Sequence, residues 1–255
     1  MLRDYQIEMK TRLMEAWKAH RSVMVQMPTG TGKTHLLASV VSEFVSSAGS
    51  GVWLIAHRRE LVAQMEETLA KYGIRREDTP VRVMSVQWLS RHWNEAGDAP
   101  GLIVIDEAHH ALAASYTEMW KRYPAAMILG VTATPCCLNR RGFSELSEVL
   151  VTSWSIAEFI EKGVLSVFDY VSIRPGSEER RLIDGLEKRG ADGDYQVKEM
   201  DAVLNRRPGI ERLYRSVRQF ASGKKGMVYA ISIDHARRIA EYFCRRGENA
   251  VAVDS

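Results

Sequence analysis

Long hydrophobic runs are missing from this sequence. No stretch of about 18 apolar residues occurs, so no transmembrane helix is expected. Cysteine is scarce: three residues, Cys136, Cys137 and Cys244. An odd number with an adjacent pair makes a poor disulfide framework and lacks metal-ligand spacing, which points to a reducing compartment, the cytoplasm. The opening Met1-Leu2-Arg3-Asp4-Tyr5-Gln6 is polar from its third residue and does not read as a signal peptide. An excess of one charge is missing too. The 35 Lys and Arg against 32 Asp and Glu leave +3, which permits a nucleic-acid partner without requiring one. There is no internal repeat and no low-complexity tract. What remains, at 255 residues with 45% hydrophobic and 26% charged, is the composition of a globular protein of one to two domains.

Short apolar runs alternate with helical stretches. Val23–Met27, Val52–Ala56, Val81–Met84, Leu102–Ile105 and Met127–Val131 read as strands, the fourth being the most hydrophobic. Helices are expected at about Lys33 to Val45, Arg59 to Tyr72 and Ser115 to Arg122. Wholly apolar strands in this alternation predict a parallel sheet covered on both faces. From Arg174 to Arg207 the sequence is charged, with Gly176, Gly185, Gly190 and Gly193, and reads as a helical or flexible connector. Beyond it the pattern predicts helices at about Ile210 to Ala221 and His235 to Arg246, and strands at Met227 to Ile231 and Ala250 to Val253.

Met27-Pro28-Thr29-Gly30-Thr31-Gly32-Lys33-Thr34 lies between the first strand and the first of these helices. A loop that wraps phosphates needs small residues so that N–H groups turn inward, a lysine to reach the β- and γ-phosphates, and a hydroxyl for magnesium. Gly30 and Gly32, Lys33 and Thr34 supply these, and the helix aims its positive end at the same place. Met27 departs from the pattern, since glycine or alanine usually stands there.

Asp106-Glu107-Ala108-His109 follows the strongest strand. A carboxylate there emerges at the carboxyl edge of the sheet, where open α/β sheets bind ligands. Asp106 is positioned to hold Mg²⁺ through water, and Glu107 to orient and deprotonate the attacking water. Taken alone, Asp-Glu after a strand also suits a helix N-cap and an acidic first turn. The phosphate loop upstream favours the catalytic reading.

With these strings in place, the chain resembles the DEAH-box helicases of superfamily 2, and within them the group holding the motor subunits of type I and type III restriction enzymes. Leu2-Arg3-Asp4-Tyr5-Gln6 is similar to that group's opening motif, whose glutamine reads adenine, so the resemblance adds Arg3 and Gln6 to Pro28, Thr29, Gly30, Thr31, Gly32, Lys33 and Thr34 as nucleotide-binding residues. Ala56 to Leu61 resembles motif Ia, Ser85-Val86-Gln87 motif Ib, Asp106 to His109 motif II, and Gly130 to Pro135 motif III. Ser155 to Leu165 resembles the helix before the second lobe, and Met227 to His235 resembles motif IV. The resemblance implies nucleic-acid contacts at Arg58, Ser85 and Gln87, and coupling of hydrolysis to movement through His109, Thr132 and Thr134. His57, His92 and His110 are read as structural. Trp88 and Trp93 have rings able to stack a base, but are read as core.

The fold expected is α/β: a RecA-like parallel-sheet domain at 1–165, a connector at 166–205 and a partial second RecA-like domain at 206–255. The function expected is that of the amino-terminal part of an ATP-dependent helicase or translocase using ATP and Mg²⁺ on DNA. An RNA-directed helicase, or a truncated protein that binds nucleotide and nucleic acid without motor activity, are the alternatives. Motif V is missing, and so is the Gln-x-x-Gly-Arg-x-x-Arg setting of an arginine finger. Slow ATP hydrolysis by this chain alone is therefore expected. Cys136-Cys137 follow motif III where relatives often carry an arginine, with Arg140 or Arg141 as substitutes. The two strands of the second lobe would leave an unpaired edge, from which self-association or completion by a partner chain is expected.

Overall fold

A computed structural model describes residues 2–56, 59–75, 77–108, 114–134, 147–173, 177–186 and 195–254. The chain forms two compact units, Met1–Val167 and Phe168–Ser255.

The first unit is built on a six-stranded sheet. Its strands are β1 (Ser22–Gln26), β2 (Val52–Ala56), β3 (Val81–Ser85), β4 (Leu102–Asp106), β5 (Met127–Thr132) and β6 (Val149–Thr152). They run in the order β3-β2-β4-β5-β1-β6, and every pairing is parallel. The helices are α1 (Asp4–Ala16), α2 (Lys33–Ala48), α3 (Arg59–Ala70), the single turn α4 (Val86–Leu89), α5 (Ala114–Arg122) and α6 (Ile156–Glu161).

Alternation along each strand sends side chains to two separate cores. Val23, Val25, Val52, Leu54, Leu102, Val104, Leu129 and Val131 join α1, α2 and α3 in one. Met24, Trp53, Ile55, Ile103, Ile105 and Ile128 join residues of α4 and α5 in the other. Parity therefore places Asp106, two residues beyond Val104, on the face covered by α2. This decides which side of the sheet its carboxylate serves.

Two further elements complete the unit: α1, absent from the sequence reading, and α6, which lies within the helix that the resemblance implies at Ser155 to Leu165. In α1, Tyr5, Met9 and Leu13 recur every four residues and are buried together with Gln6, while Asp4, Glu8, Lys10, Arg12 and Glu15 carry charge on the remaining surface. In α6, Ser155 accepts a hydrogen bond from the Glu158 N–H, and the Glu158 carboxylate accepts one from the Ser155 N–H at 2.7 Å. These hydrogen bonds hold the Glu158 carboxyl below its usual range. The cap sets the entry of a single-turn-and-a-half helix whose buried residue is Phe159. Its ring meets Tyr5 edge-on at 5.0 Å and Trp154 at 5.4 Å. The Tyr5 hydroxyl donates to the Thr31 carbonyl at 2.8 Å, so this aromatic cluster reaches the phosphate loop directly.

The second unit holds α7 (Ser177–Asp184), α8 (Val197–Leu204), α9 (Arg207–Phe220) and α10 (Ile233–Cys244). Ile210, Ile239 and Phe243 form its core, with Tyr214 edge-on to Phe243 at 5.1 Å. Ser232 caps α10 and also bonds the Asp201 carboxylate, while Asn205 donates to Asp234 at 2.8 Å. These bonds tie α8 to α10. The strands expected at Met227–Ile231 and Ala250–Val253 are not formed, since neither segment pairs in a ladder. The first unit supplies a physical reason. There β1 and β2, consecutive in the chain, are separated in the sheet by β4 and β5, which come later. Segments that follow one another in the chain need not be neighbours in a sheet, and a segment with no neighbour forms no ladder. Ala230 and Ala250 nevertheless pack on the core, while Met227, Tyr229, Val251 and Val253 are exposed.

The fully buried Phe159 anchors α6 on α1. Phe159→Ala is expected to destabilise the first unit by about 3–5 kcal/mol, read as an earlier urea midpoint by tryptophan fluorescence. An unchanged midpoint would show that α6 does not contribute to that core.

Candidate functional site

The loop after β1 is held open from both sides. Gly30 and Gly32 have φ of 85° and 79°, a left-handed conformation that glycine adopts without a Cβ clash. A Cβ at Gly32 would fall 2.6 Å from the Gln6 amide nitrogen, and one at Gly30 would fall 3.2 Å from the Leu165 side chain. Gln6 therefore lies against the loop from α1, and Leu165 from the segment after α6. The Gln6 amide donates to the carbonyls of Thr31 and Gly32, both at 3.1 Å, and its oxygen accepts the Arg3 N–H at 2.9 Å. Thr31 closes the turn with a 2.6 Å bond from its hydroxyl to the Pro28 carbonyl. The helix begins at Lys33, so the N–H groups of Lys33 and Thr34 have no carbonyl one turn back inside it. Those donors and the positive helix end face whatever the loop encloses.

The Lys33 ammonium, on a side chain only 11% exposed, lies 4.0 Å from the Glu107 carboxylate and donates to the Met27 carbonyl at 3.5 Å. Asp106 ends β4 and is part-buried. Its pKa is raised, first by loss of water around it and second by the neighbouring Glu107 charge, against smaller opposing effects of the Glu107 N–H and Lys33. Glu107 has φ of 49°, a left-handed conformation rare outside glycine. Such a residue persists only where its surroundings hold it. Ala108 provides the hold: it is buried in the core under β4 and β5, where a Cβ on Gly130 would come within 3.0 Å of its methyl group.

Thr132 ends β5, one strand from the loop. The Met27 N–H donates to its carbonyl at 3.0 Å, and the Gln26 amide donates to the Ala133 carbonyl at 3.4 Å. The Thr132 hydroxyl donates to the Thr134 carbonyl and accepts the Thr134 N–H, at 3.0 and 3.1 Å. Motif III and the phosphate loop are thus laced together by hydrogen bonds. Ser85 caps α4 by accepting the Trp88 N–H at 3.2 Å, and Gln87 is exposed beside it. Ser85 ends β3 and Gln87 follows it in α4, so both stand at the same carboxyl edge of the sheet but at its far side.

Arg58, His57, His109, His110, Pro135, Cys136, Cys137, Arg140 and Arg141 lie outside the described residues. Sequence reasoning placed Gly130 and Tyr5 inside motifs but gave neither a role of its own. A glycine inside an otherwise apolar strand is the usual signal of a close approach by another chain segment. Trp88 is a correction: it is 37% exposed rather than core. In a four-residue helix, Val86 and Leu89 three positions apart take the buried face, which turns Gln87 and Trp88 between them outward.

Asp106 has a cost that its removal should reveal. Because its folded pKa is raised, the folded state binds the proton more tightly than the unfolded state. Its destabilising effect is therefore absent below the unfolded pKa and complete above the folded one. Asp106→Asn is expected to raise the melting temperature of the ligand-free chain at pH 7, with a smaller difference near pH 4. Equal or lower stability at pH 7 would contradict the burial cost.

Residues 1–136, just over half of the chain, match the family described as "Type III restriction enzyme, res subunit". The chain is 26% identical over 234 residues to a 51.5 kDa protein of a Lactococcus phage, covering 91% of this chain and 49% of that protein. It is 28% identical over 205 residues to the DNA 3'-5' translocase XPB2 of Sulfurisphaera tokodaii, covering 74% of this chain and 44% of that protein. The chain thus spans less than half the length of these curated relatives. Among solved structures, the helicase domain of Pyrococcus furiosus Hef superposes with a TM-score of 0.56 at 18% identity, covering 96% of this chain and 55% of that one. At that identity the likeness establishes the fold. The chain belongs to the family of Type III restriction enzyme res subunits, among the helicases of superfamily 2.

Proposed function

We propose that this chain binds ATP and Mg²⁺ in the loop after β1 and serves as the amino-terminal part of a motor that couples hydrolysis to movement along DNA. The observation that carries the reading is the position of Lys33, which lies within 4.0 Å of the Glu107 carboxylate and against the Met27 carbonyl. A lysine held there can exchange both contacts for a phosphate group.

The residues fit the nucleotide. Lys33 neutralises β- and γ-phosphate charge, the N–H groups at the start of α2 donate to phosphate oxygens, and Gln6 and Arg3 border the loop for the base. The Thr34 hydroxyl and Asp106 carboxylate are oxygen ligands of the kind Mg²⁺ takes. Among the described residues no cluster of three or more His, Cys, Asp or Glu could hold a metal. Mg²⁺ is commonly held by one or two carboxylates and by substrate phosphates rather than by a protein cage. When bound, Mg²⁺ supplies charge neutralisation. Glu107, left-handed and fixed by the buried Ala108, orients the attacking water and accepts its proton. Thr132 and Thr134 pass the state of the loop to the neighbouring strand end, with His109 as a third member of that linkage. Ser85, Gln87 and Arg58 contact the nucleic-acid backbone, which positions it without reading sequence. The DNA translocase among the relatives favours DNA over RNA.

The domains proposed are a nucleotide-binding domain at 1–165, a connector at 166–205 and part of a second RecA-like domain at 206–255, and the thiol count favours a cytoplasmic setting. No helix among the described residues is long and apolar enough to cross a membrane. Alone, the chain should hydrolyse ATP well below 1 s⁻¹, since an arginine finger contributes about 10³–10⁵ in rate. The exposed Met227, Tyr229, Val251 and Val253 are the surfaces through which it associates with itself or accepts strands from a partner chain.

Lys33→Ala is expected to weaken ATP–Mg²⁺ binding at least about tenfold, whereas Glu107→Gln should bind ATP as the parent does and lose turnover. Calorimetry and phosphate release check both; a Lys33→Ala chain with unaltered binding would refute the loop's role. Sedimentation at about 100 μM should show species larger than a monomer. A strictly monomeric chain would contradict the association.

A further inference from the structure

The exposed Trp88 is not a loose surface aromatic. Its indole is stacked on the His92 ring, with centroids 4.9 Å apart and planes within 10°. His92 Nδ1 lies 2.8 Å from the Trp88 carbonyl. A carbonyl only accepts, so Nδ1 carries the proton and the imidazole is fixed in orientation. The Trp88 N–H is in turn bound by the Ser85 hydroxyl. Each part of this pair is therefore held before any ligand arrives, while 37% of Trp88 remains open to solvent.

Its place in the fold gives the pair a purpose. All strands are parallel, so the turn after β3 emerges at the same edge of the sheet as the phosphate loop and Asp106. In the order β3-β2-β4-β5-β1, β3 lies four strands from β1, about 19 Å at ordinary strand spacing. That is too far for the pair to touch the nucleotide and close enough to share its edge. Gln87 and Arg91, both exposed, flank Trp88 and supply an amide and a positive charge. A rigid aromatic surface bordered by a cation and hydrogen-bonding groups suits a nucleobase on a phosphate backbone better than an apolar peptide. Stacking accepts any base, as a motor moving over arbitrary sequence requires.

We propose that Trp88, backed by His92, is a stacking platform for an unpaired nucleobase of the strand that this unit engages. The proposal rests on the nucleic-acid reading above. It adds a contact to a base face, whereas the expected Ser85 and Gln87 contacts are with the backbone.

The test is binding of fluorescein-labelled single-stranded oligo(dT), and of an abasic oligonucleotide of equal length, by fluorescence anisotropy. Trp88→Ala should weaken oligo(dT) binding about 5- to 100-fold, and Trp88→Phe should recover most of it. Trp88→Ala should change binding of the abasic strand less than about twofold, with ATP binding and melting temperature as in the parent. Parent-like oligo(dT) binding by Trp88→Ala, or an equal loss on both strands, would overturn the platform while leaving nucleic-acid binding intact. Failure of the parent chain to bind either strand would overturn the nucleic-acid reading itself.

Discussion

The pairing of β1 with β5, instead of with the β2 that follows it in sequence, is the constraint on which the site depends. That pairing, in register from Ser22–Ile128 to Gln26–Thr132, places β5 and then β4 beside the phosphate loop. Because the strands are parallel, the loop, Thr132 and Asp106 all leave the sheet at one edge. The ladder continues past the strand ends through the Met27 N–H to the Thr132 carbonyl, so the loop and motif III cannot shift independently by much. Alternation then selects the face: Asp106 falls on the side covered by α2, whose amino terminus follows the loop.

Around that frame the site keeps groups in states that folding alone disfavours. Asp106 is desolvated beside a second carboxylate, and Glu107 adopts a backbone conformation that β-carbons resist. Lys33 moderates the first, and the burial of Ala108 against the space left by Gly130 sustains the second. Functional sites commonly retain such local costs because the chemistry needs them. Under the proposed function both costs serve the site, since a cation would need an ionised Asp106 and an attacking water a projecting Glu107.

Much of this was legible in the chain. The five apolar runs became β1 to β5 almost residue for residue, since wholly apolar strands bounded by glycine, proline and polar residues leave little ambiguity. The Gly30 and Gly32 turn was equally clear. The first helix carried its own signal in Tyr5, Met9 and Leu13, which the motif at its start obscured. The short β6 and α6 were harder, because Val149–Thr152 becomes a strand only through pairing with β1. Met227–Ile231 and Ala250–Val253 show the converse: strand-like sequence with no neighbour to pair with. Trp88 stands where a core position was expected, whereas the i, i+3 pair of Val86 and Leu89 sets the buried face of so short a helix.

The central claim is that one nucleotide is gripped jointly by the loop after β1 and the acidic turn after β4. Hydrogen exchange with mass spectrometry, with and without a non-hydrolysable ATP analogue and Mg²⁺, tests it most directly. The account predicts slower exchange in peptides covering 29–36 and 103–108 together, and loss of both effects in Lys33→Ala. Protection confined to one of these segments, or to neither while the analogue is bound, would contradict it.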